Sequence, residues 1–165
     1  MIISIDSKII PYEKKIQSFC RLPYYGHAHG CPNYGIKQNC PPDQPLIDKV
    51  LDLSQEVYII YTKFRVGEFA ERMRIMHPEW EHQPRQLYNP RRWQESARKD
   101  HRLELKKFLI EHTGLTYTSF PEAHGVNLDM LMKRIGIELK WDWPPKHDKS
   151  NEVYIVSLGG KGFKK

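Results

Sequence analysis

Cysteine is scarce and confined in this 165-residue chain: there are three, Cys20, Cys31 and Cys40, and none follows position 40. An odd number makes no closed disulfide framework. No apolar run approaches the roughly 18 residues that cross a bilayer. The opening ten residues interrupt their apolar stretches with Asp6 and Lys8, so they lack the charged-then-apolar pattern of a signal peptide. The expectation is a cytoplasmic chain with no membrane partner, where reducing conditions keep thiols free and clustered cysteines favour metal ligation or catalysis. Also missing are internal repeats, a low-complexity tract beyond the GGKGFKK tail, and any shift in composition that marks a second domain. Residues 1–165 are therefore expected to form a single unit.

With 39% hydrophobic and 28% charged residues the composition is that of a globular protein without a long disordered tract. A chain of this length buries roughly two thirds of its unfolded surface without a staple. A metal would thus be functional or locally structural. The formal charge of +6 suits an acidic partner but serves solubility equally, which makes nucleic acid a secondary reading.

The first five residues, MIISI, read as a short strand. Residues 19–45 then hold Gly26, Gly30, Gly35 and five prolines, which break every period and predict a loop of more than 25 residues. Such a length is uncommon unless the loop serves a function or something other than a backbone ladder organises it. The apolar positions Leu46, Ile47, Val50, Leu51 and Leu53 predict a helix over 45–53, with Asp43 as N-cap. VYIIYTKF, Val57 to Phe64, is β-branched and aromatic and predicts a central strand covered on both faces. A helix is expected over 68–76. After a polar connection, Trp93, Ala97, Leu105, Phe108 and Leu109 predict the inner face of a long helix with Pro90 in its first turn, ending near Gly114. A short strand over 115–120, a helix over 127–134 capped by Asn127 and stopped by Gly136, a polar loop over 144–151 and a strand over 153–158 complete the pattern. Strands alternating with helices imply an α/β fold, a compact sandwich with a small mixed sheet flanked by helices and a long N-terminal loop.

All three cysteines fall in that loop, among Gly, Pro and polar neighbours that do not look like core. Ten residues separate Cys20 from Cys31 and eight separate Cys31 from Cys40, so the Cys-x-x-Cys knuckle typical of structural zinc is missing. Three thiolates on a flexible wrap suit a [4Fe-4S] cluster. Three irons then take cysteine, and the fourth is left for a non-cysteine ligand, solvent or a substrate. Prolines directly after Cys31 and Cys40 stiffen the chain as it leaves each ligand. His27 and His29 are candidates for a fourth ligand, and either would convert the site to Cys-Cys-Cys-His zinc.

The run from Cys20 through Cys31-Pro-Asn-Tyr-Gly to Cys40-Pro-Pro resembles the cysteine motif of a family described as predicted metal-binding proteins, which carry a domain of unknown function. Pro121-Glu-Ala-His-Gly-Val-Asn and Ile135-Gly-Ile-Glu-Leu are similar to it as well, so the resemblance spans most of the chain. It implies a metal centre and no particular reaction. Members of that family have further cysteines towards the C-terminus; here Ser119 and Phe120 precede the Pro-Glu-Ala segment, and only the three-cysteine site carries over.

Other groups are weaker signals. Arg85, Arg91, Arg92, Arg98, Lys99, Arg102, Lys106 and Lys107 stand against three acidic residues in the same stretch, enough for a phosphate-binding face, although a solvated helix face is the commoner explanation. Trp141 and Trp143 alternate around Asp142 as a stacking platform or, preferably, as core rings. Glu122 and His124 after a short strand suit acid-base work near an active centre. Gly159-Gly160-Lys161-Gly162 has no helix after it and is rejected as a phosphate loop.

The leading expectation is therefore a cluster on Cys20, Cys31 and Cys40. It would serve Lewis-acid or sulfur-transfer chemistry on a small anionic or sulfur-containing ligand, or electron transfer to a redox partner protein. The competing expectation is a zinc-stabilised module that binds nucleic acid through the basic stretch.

Overall fold

The most β-prone segment becomes the middle of a four-stranded sheet. In the computed structural model, which describes residues 1–24, 26–146 and 148–163, β1 (Ile2–Ile5) and β2 (Val57–Phe64) pair with Ile5 opposite Val57. Five consecutive residues of β2, Val57 to Tyr61, are buried, as expected of a strand covered on both faces. The chain continues through α1 (Val66–Met76), the single-turn α2 (Pro84–Leu87) and α3 (Pro90–Glu111) to β3 (Thr116–Thr118), then α4 (Leu128–Arg134) and β4 (Val153–Gly160). The strand order is β1-β2-β4-β3 and every neighbouring pair is antiparallel.

The α/β class holds, but the expected mixed sheet is corrected to a wholly antiparallel one. Helices α1 to α3 carry the chain from β2 to β3, and these two strands do run in the same direction, as a helical crossover demands. They are not neighbours, because β4 enters between them and pairs antiparallel with both, a split β-α-β arrangement. Strand-helix alternation reveals the crossover and is silent about the late insertion.

The two-residue period of β2 sorts its side chains. Tyr58 and Ile60 face α3 and pack with Leu105 and Phe108; Val57, Ile59 and Tyr61 face the other side, with Leu158, Ile47, Leu51, Leu131 and Met132. Gly159 lies under Phe108, whose ring would meet a built Cβ at 2.4 Å, so this register tolerates no side chain there. Asn89 caps α3 by accepting the Arg91 N–H, with Pro90 in the first turn, and Asn127 caps α4 by accepting the Met130 N–H. Leu109, expected on the inner face of α3, points outward. α3 spans 22 residues but is heavily charged, and no helix among the described residues is long and apolar enough to cross a membrane.

The helix expected over 45–53 is a single 3-10 turn, Ile47–Lys49, with Leu46 rather than Asp43 at its start. Tertiary pairing overrides the helical stripe: Leu51 bridges to Gly162, and the Asp52 N–H donates to the Lys161 carbonyl at 2.7 Å. The apolar positions still do their packing, since Ile47 and Leu51 are fully buried, worth about 2 kcal/mol each.

A buried imidazole interrupts the α3 side of the core. His101, 4% exposed, sits 3.0 Å from Thr62 Oγ1 through Nδ1 and 2.8 Å from Ser157 Oγ through Nε2. Burial, helped by the Met1 ammonium and opposed by Glu104, lowers its pKa from 6.5 to about 4. Between those values the unfolded chain takes up a proton that the folded chain refuses, so stability falls as pH drops through that window and is untouched by His101 above it. The full loss is on the order of 3 kcal/mol. His101→Gln, which keeps polar atoms but does not titrate, is expected to remove up to about 1.4 kcal/mol per pH unit from that slope, checked by urea midpoints of both proteins from pH 7 to about 4.

Candidate metal centre

The long loop is organised by side chains and turns rather than by a ladder. It is entered from a 3-10 helix, Lys14–Arg21, on which Ile16 and Gln17 are buried. Gln17, 2% exposed, donates from Nε2 to the carbonyls of Gln44 and Ala123, each at 2.8 Å. One amide therefore ties the Cys20 segment to the chain beyond Cys40 and to the 3-10 turn Pro121–His124. The Lys14 ammonium adds a bond to the Pro42 carbonyl at 2.7 Å, and the Glu13 N–H donates to Gly125 at 2.9 Å.

Glycines at positive φ fold the cysteines back on each other. The Cys31 N–H donates to the Cys20 carbonyl at 2.7 Å, and Gly30 (φ +81°) makes this crossing close: a Cβ on it would lie 2.6 Å from the Cys20 carbonyl oxygen and 2.7 Å from the Arg21 backbone. Gly35 (φ +69°) then donates to the Pro41 carbonyl at 2.7 Å, returning the chain beside Cys40, whose own N–H donates to Lys37 at 2.9 Å. All three thiols are half-buried and free.

Cys20 and Cys31 line one cavity of about 600 Å³ together with Tyr24, Glu122, Leu128 and Trp141. Burial raises the Cys20 pKa, and the charges of Cys31, Glu122 and Cys40 raise it further, so all three are felt at Cys20. Burial also raises the Tyr24 phenol, followed by the charge of Cys31, a hydrogen bond to that thiol, and the charge of Cys20. The Glu122 carboxyl is raised by burial. Cys40 does not line the cavity but lies close enough for its charge to be felt at Cys20.

Among the described residues no three His, Cys, Asp or Glu side chains converge closely enough to hold one metal ion. His27 and His29 are exposed and do not line the cavity; His27 instead closes a turn with Tyr24, their rings 4.6 Å apart. Glu122 and His124, expected to act together, separate: Glu122 faces the cysteines, while His124 Nδ1 lies 2.9 Å from the Pro45 carbonyl in a different cavity. Trp143 packs on Tyr88 and Trp93, as expected of a core ring, whereas Trp141 is 72% exposed.

The basic stretch lies largely on the outer side of α3, where Arg91, Arg98, Lys99, Arg102 and Lys106 are exposed. Arg102 meets Glu95 at 2.7 Å, and Arg92 covers the Trp80 ring at 4.1 Å. Sequence reasoning missed Gln17 and Tyr24, an amide and a ring that carry no signal of their own, and preferred Trp141 as a core ring, whereas it stands exposed at the cavity. No family model, curated protein or solved structure matches the chain.

The Gly30 crossing gives a paired prediction. Gly30→Ala is expected to destabilise by about 2 kcal/mol or more, combining left-handed strain with overpacking against backbone, and to speed alkylation of Cys20 and Cys31. Gly26→Ala has φ +80° but nothing within 4 Å of the new Cβ, so about 1 kcal/mol with unchanged thiol reactivity is expected. Urea titration and mass-spectrometric alkylation rates check both.

Proposed function

We propose that Cys20, Cys31 and Cys40 hold a [4Fe-4S] cluster, leaving one iron to a non-cysteine ligand. The observation that carries this reading is that Cys20 and Cys31 share a cavity with a carboxyl, Glu122, while Cys40 lies near enough for its charge to be felt at Cys20. The donor set suits it: thiolates are the usual ligands of such clusters, and each would bind a different iron, so they stand further apart than ligands gathered on a single zinc ion. When bound, the group supplies either a Lewis-acidic iron for hydration-type or sulfur-transfer chemistry on a small anionic or sulfur-containing ligand, or one electron for a redox partner protein.

The chain's own contribution follows from the cavity wall. Glu122, the carboxyl whose charge is felt at Cys20, is the oxygen donor assigned where cysteine is lacking, in the role first expected of His27 or His29. Tyr24, on the same cavity wall as Cys31, orients that thiol. Phe19, Val126 and Leu128 line the same space and limit water around the sulfurs.

A second reading, a zinc clip with nucleic acid on α3, is favoured by one observation, the exposed Arg91, Lys99, Arg102 and Lys106 along that helix. The two readings separate on protein purified without oxygen. The cluster predicts about four irons and four sulfides per chain with broad visible absorption. Cys20→Ser, Cys31→Ser and Cys40→Ser are each expected to lose most of that iron, whereas Glu122→Ala retains most of it and changes the paramagnetic resonance spectrum of the reduced protein. Full cluster content in Cys31→Ser would overturn the ligand assignment. One zinc, no sulfide and a nucleic-acid affinity that falls steeply with salt would establish the second reading in place of the first.

A further inference from the structure

The cysteine cavity adjoins a second one of about 380 Å³, and Glu122, Leu128 and Trp141 line both. Each is within the size range of small-molecule sites. The walls of the second cavity are mainly apolar: Trp93 from α3, Phe120, and Val153 and Ile155 from β4. Among the described residues lining either cavity, Arg98, exposed at the rim of the second, is the one cationic side chain. It makes no ion pair within 4 Å among those residues, and its guanidinium donates to Gln94 Oε1 at 3.3 Å, a long contact that a better acceptor can replace. The carboxyls are placed differently: Glu122 stands where the two cavities meet and lines both, whereas Asp129 lines the cysteine cavity alone.

This polarity selects a ligand class. A planar guanidinium at an apolar wall favours a carboxylate, which it can bind through two parallel hydrogen bonds. Asp129 beyond it repels a second negative charge, which disfavours dicarboxylates and nucleotides and leaves an apolar arm as the part that reaches the cysteines. Trp141, exposed yet lining both cavities, gives that arm an aromatic surface along the way.

We propose that the two cavities form one cleft for a small monocarboxylic acid with an apolar arm, its carboxylate on Arg98 and its arm directed past Trp141 towards Cys20 and Cys31. As the substrate class of the metal site this rests on the reading above. The binding itself does not, because Arg98 and Trp93 belong to α3 and lie outside the cysteine loop.

The test is calorimetric titration of the full chain, purified without oxygen and assayed for iron on the same sample, with 4-phenylbutyrate and with its neutral counterpart 4-phenylbutanol. The acid is expected to bind at least about tenfold more tightly than the alcohol. Arg98→Gln is expected to weaken the acid about tenfold and leave the alcohol unchanged, while Trp141→Ala weakens both. Equal affinity for acid and alcohol, acid binding indifferent to Arg98→Gln, or no binding at about 1 mM would overturn the proposal. Iron content reports on the cluster separately. Arg98-dependent binding to a chain that carries no iron keeps this inference and removes the cluster, and a loaded chain that ignores the acid does the reverse.

Discussion

The pairing of β2 with β4 is the constraint on which the rest of the molecule depends. Eight residue pairs, from Val57 opposite Gly160 to Phe64 opposite Val153, join segments separated by more than half the length of the chain. The sheet closes only when the last strand arrives, and until then β3 has no neighbour and Gly159 cannot receive the Phe108 ring. The residues just after β4 extend the effect to the opposite face, where Lys161 and Gly162 take the backbone groups of Asp52 and Leu51 and seat Ile47 and Leu51 on the sheet. A topology dominated by such distant contacts closes loops before they are rewarded, which places it among slower folders of its size.

On that foundation the cysteine loop is a passenger held by few bonds. α3 covers one face of the sheet; the other is covered by α4 and the chain around Ile47 and Leu51, and the loop is anchored beside them through Gln17. Its ordering entropy, about 1 to 2 kcal/mol per fixed residue, is opposed by a handful of turn hydrogen bonds and little apolar burial. The structure thus divides into a core that stands on its own packing and a segment whose order is the weakest part of the molecule.

How much of this was legible in the sequence varies with how local the cause is. β2, α3 and α4 announced themselves because their period and end signals, Pro90 for α3 and Asn127 with Gly136 for α4, are local to the element. The antiparallel sheet did not, because the placement of β4 between β2 and β3 is decided by pairing across the whole chain. The helix expected over 45–53 failed for the same reason, its stripe being overruled by the tail. At the candidate site the cysteines were visible as a cluster and Glu122 as a neighbour of some interest. The hands that bring them together were not: Gln17 acts through carbonyls 27 and 106 residues away, and the value of Gly30 lies in the Cys20 backbone it passes.

The electrostatics of the cavity bind these strands together. Cys20 is half-buried, and the charges of Cys31, Glu122 and Cys40 all oppose its ionisation, while no cationic side chain among the described residues lines the cavity to relieve them. As a set of bare side chains this is an unfavourable collection, with the Cys20 thiol raised by its surroundings and the Glu122 carboxyl pushed up by burial. Under the proposed reading a metal centre inverts the local logic, since a coordinated thiol is deprotonated outright and each neighbouring negative charge becomes stabilising. Binding then releases protons and orders the loop in one step, so the free energy of loading is also the folding free energy of the segment least able to order itself. The core needs no such help. That separation is why a chain long enough to fold by packing alone can keep its cysteines in a loop that packing alone leaves weakly held.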